Sequence, residues 1–157
     1  MTVLVVDDTA ILRSIIKDIL VEFCGVSRND IVEAADGRKA VTEYKRTKPD
    51  IIFLDIAMPN LCGVEAVKRI IEIDPDAKII MCTGKGERES VKECVYAGAQ
   101  DYLLKPIIPH RLVAAVEKIM GPLNVAEDHI PNIQPKDDDP DGEDPYAIKN
   151  KRDTDRD

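Results

Sequence analysis

Four short apolar runs constrain the fold of this chain more than any other feature of its sequence. They cover residues 3–6, 51–54, 79–82 and 102–104, and a weaker fifth candidate covers residues 31–35. Each run has the length of a β-strand and does not alternate with polar residues, which is typical of strands in a sheet covered on both faces. The segments between the runs have helical periodicity, so the pattern predicts five β-α units in succession.

Alternating strands and helices imply a parallel sheet with right-handed crossovers and helices on both faces, a three-layer doubly wound α/β fold. The first helix is expected to pack on the sheet through one apolar stripe, formed by Ile11, Leu12, Ile15, Ile16, Ile19, Leu20 and Phe23. Local signals agree with this pattern: Asp36 is a capping residue for the second helix, Pro75 closes the third, and the fifth begins at Pro109 and ends at Gly121.

The net charge of −8 is concentrated at one end of the chain. Residues 121–157 contain 11 acidic and 5 basic side chains, whereas the first 120 residues contain 19 and 17. This end also holds five of the ten prolines and few large apolar side chains, so it cannot bury enough surface to offset its ordering entropy. We therefore expect one folded domain over residues 1–121, followed by an acidic, Pro-rich and disordered tail over residues 122–157.

Composition also argues against several classes of protein. An acidic chain with no stripe of Lys and Arg lacks the charge that nucleic-acid binding requires. The start of the chain is too short in apolar residues for a signal peptide, and no run approaches the length of a membrane span, so we expect a cytoplasmic protein. The four cysteines, which we expect to be reduced thiols, have no metal-ligand spacing: Cys24, Cys62, Cys82 and Cys94.

Polar side chains follow the strands at the edge where a doubly wound sheet binds its ligands. Asp7 and Asp8 follow the first run, and Asp55 follows the run at 51–54. Thr83 and Lys105 follow the last two runs. Three carboxylates at one edge repel one another unless the pKa of one of them is raised or a cation is bound. Carboxylate oxygens are suitable ligands for Mg²⁺. With Lys105 and the Thr83 hydroxyl opposite, the group is equipped for phosphoryl transfer, with Asp55 as the nucleophile.

The motifs VLVVDD, IIFLDIAMP, MCTG and YLLKP, in this order and at these separations, resemble those of the CheY-like receiver domains of response regulators. The resemblance covers residues 2–120. It implies a flavodoxin-like (βα)5 fold with strand order 2-1-3-4-5. It also implies that Asp55 is phosphorylated. The Mg²⁺ ligands would be the side chains of Asp8 and Asp55. Asp7 would contribute through a water molecule, and Ala57 through its backbone carbonyl.

The same resemblance assigns further roles. Thr83 and Lys105 would hold the phosphoryl oxygens, and Thr83 and Tyr102 would reorganise together as a switch on phosphorylation. The bond between Lys105 and Pro106 would be cis. The chain departs from the commonest family pattern at Cys62, Ala57 and Lys85. Positions 57 and 85 flank the phosphoryl group in the family and influence how fast it is lost, so the resemblance does not give the lifetime of the phosphorylated state.

Two other classes compete with this interpretation. A phosphatase of the haloacid dehalogenase type also uses an Asp nucleophile, but it needs a second Asp two residues later, where this chain has Ala57. A receiver-like module that only docks to partners and takes no phosphate is the other alternative. A further pattern, from Asp137 to Gly142, matches the start of an EF-hand loop, but its twelfth position is Ile148 rather than Glu, which argues against Ca²⁺.

The expected function is therefore that of a phosphoacceptor rather than a turnover enzyme. A histidine kinase would supply the phosphoryl group, and a protein target would read the face formed by the fourth helix, fifth strand and fifth helix. Since no DNA-binding domain follows Gly121 in this sequence, we expect output by docking, with a motor switch in chemotaxis as the leading target and a phosphatase as a further partner. The alternative is a phosphorelay intermediate that passes phosphate to a histidine phosphotransfer protein.

Overall fold

A computed structural model describes residues 1–123 as five strands and five α-helices in strict alternation. The strands are β1 (Val3–Val6), β2 (Ile31–Ala34), β3 (Ile51–Asp55), β4 (Ile79–Thr83) and β5 (Asp101–Leu104). The helices are α1 (Ala10–Cys24), α2 (Gly37–Thr47), α3 (Gly63–Ile73), α4 (Arg88–Ala97) and α5 (Pro109–Met120), and a single 3-10 turn at Arg28–Asp30 precedes β2. The predicted tail lies outside the described residues, except for its first two positions.

All strand pairs are parallel, and their order is β2-β1-β3-β4-β5. This confirms the predicted doubly wound, flavodoxin-like fold. Its register sets which side chains meet at the carboxyl edge: Val6 lies opposite Leu54, and Thr83 lies opposite Leu104. The order of strands reverses between β1 and β3, so the residues that follow these two strands lie at the point where such sheets bind ligands.

The core has two halves, one on each face of the sheet. Alternate residues of each strand point to opposite faces, so Leu4 and Val6 pack with α2, α3 and α4, whereas Val3 and Val5 pack with α1 and α5. Both halves are mainly aliphatic, and Phe53 is the only aromatic residue among the largest fully buried side chains. An aliphatic core is consistent with a sequence that contains no Trp and only two Phe.

Most of the predicted helix signals are present. The Asp36 carboxylate accepts a hydrogen bond from the Lys39 backbone N–H at 2.8 Å and caps α2. Pro109 is the first residue of α5, and Gly121 follows its last residue. Helix α3 ends at Ile73, two residues before Pro75.

The predicted apolar stripe of α1 was too wide. Ile16, Ile19 and Leu20 are buried, and Leu12 and Phe23 pack partly against the same core. However, Ile11 and Ile15 are exposed, with 73% and 42% of their surface accessible. The reason is geometric: a helix on a sheet buries a stripe little more than 100° wide, and residues at its border face solvent.

Two other predictions can be compared with residues 1–123. The four cysteines are all free thiols, and only Cys62 is exposed. Across this part of the chain, no helix combines the length and the apolar character that a membrane crossing requires.

Candidate functional site

The five polar residues predicted at the strand ends meet at the carboxyl edge of the sheet. Asp7 and Asp8 follow β1, and Asp55 is the last residue of the neighbouring β3. Thr83 is the last residue of β4, and Lys105 follows β5. The Lys105 backbone N–H donates to the Thr83 carbonyl at 2.7 Å, which continues the sheet ladder into the site.

Three carboxylates and one ammonium group form the centre of the site. Asp7, Asp8 and Asp55 each offer an oxygen within 4.8 Å of the others. The Lys105 Nζ donates to Asp55 Oδ1 at 3.0 Å and to Asp7 Oδ2 at 3.3 Å. Asp7 and Asp55 are buried, whereas Asp8 is exposed, so the cluster opens to solvent on one side.

Burial and charge shift the acid-base properties of this cluster. Burial raises the pKa of Asp55 from 3.8 to about 6; the charges of Asp7 and Asp8 act in the same direction, and Lys105 opposes them. Burial lowers the pKa of Lys105, but its hydrogen bond and charge interaction with Asp55, together with Asp7, raise it overall. Lys105 therefore remains cationic at neutral pH, and Asp55 is mostly a carboxylate there.

Neighbouring residues hold the acidic loop in place. The Thr9 backbone N–H donates to Asp7 Oδ1 at 2.8 Å, and the Arg13 guanidinium donates to the Asp7 carbonyl at 2.7 Å. On the other strand, a Cβ added to Gly63 would lie 2.5 Å from the Asp55 carbonyl oxygen. Only glycine therefore allows the start of α3 to approach the end of β3 this closely.

The remaining predicted residues lie around this centre. Ala57 is exposed, two residues beyond Asp55. Tyr102 is half-buried on β5, where it packs against the core on the α2–α4 face. The Lys105–Pro106 peptide bond is cis, as the resemblance implied.

The structure adds one residue that the sequence analysis missed. Glu87 lies in the loop between β4 and α4, and its carboxylate accepts a hydrogen bond from the Thr83 hydroxyl at 3.0 Å. Its position four residues after Thr83 was visible in the sequence. Nothing in the residue pattern, however, indicated that its side chain turns back toward the site.

The residues present fit a hard divalent cation. Carboxylate oxygens are the ligands that Mg²⁺ prefers, and three of them converge here with one side open to water. Within residues 1–123, no other group of three acidic, His or Cys side chains converges in this way. An anion bound beside such a cation would meet the Lys105 ammonium and the end of β4, which carries the Thr83 hydroxyl.

Comparisons with known proteins found similar sequences and similar folds. The sequence profile of the response regulator receiver domain matches residues 3–117. The chain is 44% identical over 117 residues to the chemotaxis protein CheY of Thermotoga maritima, covering 74% of this chain and 95% of that protein.

Solved structures are similar over about the same share of the chain. The receiver domain of NtrX from Brucella abortus matches with a TM-score of 0.69 and 28% identity, over 74% of this chain and 96% of that one. The CheX–CheY–BeF3–Mg²⁺ complex from Borrelia burgdorferi matches with a TM-score of 0.67 and 31% identity, over 76% and 88%.

Proposed function

We propose that this chain, which belongs to the response regulator receiver domain family, is a phosphoacceptor that takes a phosphoryl group on Asp55 from a histidine kinase. The observation that carries the proposal is the contact of Lys105 with Asp55 and Asp7 beside a third carboxylate, Asp8. Such a site combines a nucleophile with the positive charge that a transferred phosphoryl group requires. Its position at the strand-order reversal is where this fold binds ligands.

The transfer step needs few groups. An oxygen of the Asp55 carboxylate attacks the phosphorus of a phosphohistidine; the P–O bond forms as the P–N bond breaks, and the imidazole nitrogen keeps the electron pair. Because a pKa of about 6 leaves Asp55 mostly ionised at neutral pH, no general base is required. Lys105 and Thr83 would then hold the phosphoryl oxygens.

Mg²⁺ is the proposed cofactor, and binding of this ion is typical of the family. Asp8 and Asp55 would hold it through their side chains, Asp7 through water and Ala57 through its backbone carbonyl. The bound ion supplies positive charge that offsets the negative charge of the phosphoryl oxygens and of the carboxylates. Burial raises the pKa of Asp55, and the charges of Asp7 and Asp8 add to this shift. The crowding of three carboxylates is the physical reason to expect cation binding here.

For the output we propose docking to a partner protein through the face formed by α4, β5 and α5. Thr83 and Tyr102, which lie on the two adjacent strands β4 and β5, would form the switch that alters this face. Similarity to CheY from Thermotoga maritima, a chemotaxis protein, favours a motor switch as the target. A phosphorelay role, with a histidine phosphotransfer protein as the target, is the second candidate. In both cases a phosphatase partner and a cytoplasmic location are part of the proposal.

The first experiment is intact-mass measurement after incubation with Mg²⁺ and acetyl phosphate. We expect a single phosphoryl adduct on the wild-type chain, and none on Asp55→Asn or when Mg²⁺ is removed with a chelator. Asp50→Asn is the matched control, because it makes the same substitution at the exposed residue that directly precedes β3. This variant should be labelled like the wild type.

Two outcomes would contradict the proposal. Labelling of Asp55→Asn at the wild-type level would mean that another residue is the nucleophile. No adduct under rapid quench, together with target binding that does not depend on phosphodonor, would favour the module that only docks. Binding that is tighter after phosphorylation would favour the motor switch, whereas loss of the label to a histidine phosphotransfer domain would favour the relay.

A further inference from the structure

Glu87 lies at one end of the loop between Thr83 and α4, and its carboxylate contacts residues at the other end. A single oxygen, Oε2, accepts the Gly84 backbone N–H at 2.8 Å and the Thr83 hydroxyl at 3.0 Å. Glu87 is also the residue that immediately precedes α4, at its N-cap position. Its side chain makes no capping hydrogen bond to that helix. Its hydrogen bonds are therefore directed back toward the site rather than toward the helix that it precedes.

The Thr83 hydroxyl has one proton to donate, and its side chain is fully buried. Within the residues described, its acceptors are the Glu87 carboxylate and, at a longer 3.2 Å, the Gly84 carbonyl. Hydrogen bonds to a carboxylate are stronger than those to a neutral carbonyl. While Thr83 donates to Glu87, it cannot donate to a phosphoryl oxygen on Asp55.

We propose that Glu87 is a positioning residue that holds the Thr83 hydroxyl in the unphosphorylated chain and is displaced from it when Asp55 is phosphorylated. This inference rests on the proposed function and adds a regulatory contact to it. The phosphoryl oxygens and the Glu87 carboxylate compete for the same Thr83 proton. Glu87 therefore raises the threshold for switching.

Loss of the contact between Glu87 and Thr83 would directly affect α4, which is part of the proposed docking face. Since Glu87 directly precedes Arg88, the first residue of α4, a change in its side-chain contacts acts on the start of that helix. The loop also contains Gly84 and Gly86, and the latter has a φ of 89°, in the region that favours glycine. A segment of this composition can change conformation at low cost when its carboxylate anchor is lost.

The test measures the affinity for beryllium fluoride, with Mg²⁺ present, as a stable mimic of the phosphoryl group. The dissociation constant is obtained by titration followed by NMR of the backbone amides. We expect Glu87→Ala to bind the mimic roughly fivefold more tightly than the wild type, the effect of removing a competing hydrogen bond of about 1 kcal/mol. Glu89→Ala is the matched control, since it removes the same charge from an exposed side chain two residues away, where its contact is an ion pair with Lys92 at 3.6 Å.

A double-mutant cycle separates the hydrogen bond from the general effect of charge. In a Thr83→Ala background, Glu87→Ala should no longer tighten binding, because the contested hydroxyl is gone. If the gain persists there, or if Glu89→Ala gives the same gain, simple charge repulsion explains it and the inference is wrong. Weaker binding by Glu87→Ala would also overturn it, since Glu87 would then support the phosphorylated state.

A second measurement keeps this inference distinct from the proposed function. In the unphosphorylated protein without Mg²⁺, Glu87→Ala should shift the Gly84 amide resonance and speed its hydrogen exchange, because that N–H loses its carboxylate acceptor. If the wild type binds no mimic, the phosphoacceptor function fails and the inference fails with it. If the wild type binds the mimic but neither the Gly84 amide nor the affinity responds to Glu87→Ala, only the inference is overturned.

Discussion

At the scale of single residues, Lys105 offsets part of the negative charge of the site. It contacts two buried carboxylates, Asp55 and Asp7, and its pKa is raised by them. One ammonium group nevertheless faces three carboxylates, and burial, together with the charges of Asp7 and Asp8, raises the pKa of Asp55. The site is therefore electrostatically unfavourable for folding in the absence of a cation, which is a common property of functional sites.

A stability measurement on Asp55→Asn without metal tests the raised pKa of Asp55. Between pH 3.8, the ordinary pKa of the group, and about 6, its value in the folded chain, the folded state binds more protons than the unfolded state. The free energy of unfolding therefore falls as pH rises through this range. We expect Asp55→Asn to be more stable than the wild type by about 1–3 kcal/mol at neutral pH, with the difference lost below about pH 4.

Urea denaturation of both proteins across this pH range, with a chelator present, provides the measurement. A stability difference that grows toward acidic pH would have the opposite sign and would contradict the raised pKa. Mg²⁺ should then stabilise the wild type more than the variant, because a ligand that binds only the folded state adds to its stability.

Helix α1 shows what the neighbouring layers decide at the scale of elements. Its residues Ile16 and Leu20 are fully buried under the sheet, whereas Ile11 and Ile15 face outward near the end of the helix that follows the acidic loop. Two exposed isoleucines one turn apart form a small apolar surface in the first half of α1. Folding does not require them there, so their contribution to stability should be small.

Alanine substitutions in α1 test this difference between its two faces. Ile16→Ala should lower the free energy of unfolding by about 2–4 kcal/mol, since it removes buried methyl groups and leaves a cavity. Ile11→Ala should change it by no more than about 0.5 kcal/mol. The two variants make the same chemical change five residues apart on one helix, so urea denaturation compares them directly. Equal losses would mean that α1 packs in a different rotation.

At the scale of the whole molecule, the described residues of the two halves of the core lie between Val3 and Leu123. Each face of the sheet is covered by its own helices, and the described strands and helices end at Met120. We therefore expect a chain shortened after Leu123 to unfold at the same urea concentration as the full chain and to accept phosphate at the same rate. A lower midpoint in the shortened chain would show that residues 124–157 contribute to the fold, and would contradict the predicted domain boundary.

The sequence by itself determined the β-α alternation, the two-sided burial of the strands, and the candidate residues at the carboxyl edge. These features depend on local spacing: apolar runs such as 51–54 mark strands wherever they pack, and Asp55 follows directly from where one run ends. The strand order and the proposed roles of Tyr102 and Ala57 needed the family resemblance as well, because no local pattern states which strands are neighbours.

Only the tertiary structure decided the contacts between segments distant in sequence or turned back on themselves. The pairing of Lys105 with Asp7 joins residues 98 positions apart. The outward position of Ile11 depends on how far the sheet extends beneath α1, and the contact of Glu87 with Thr83 depends on the path of one loop. Periodicity reports which face of an element is apolar, but side-chain direction and contact depend on the packing of the whole chain, and that information exists only once the layers have assembled.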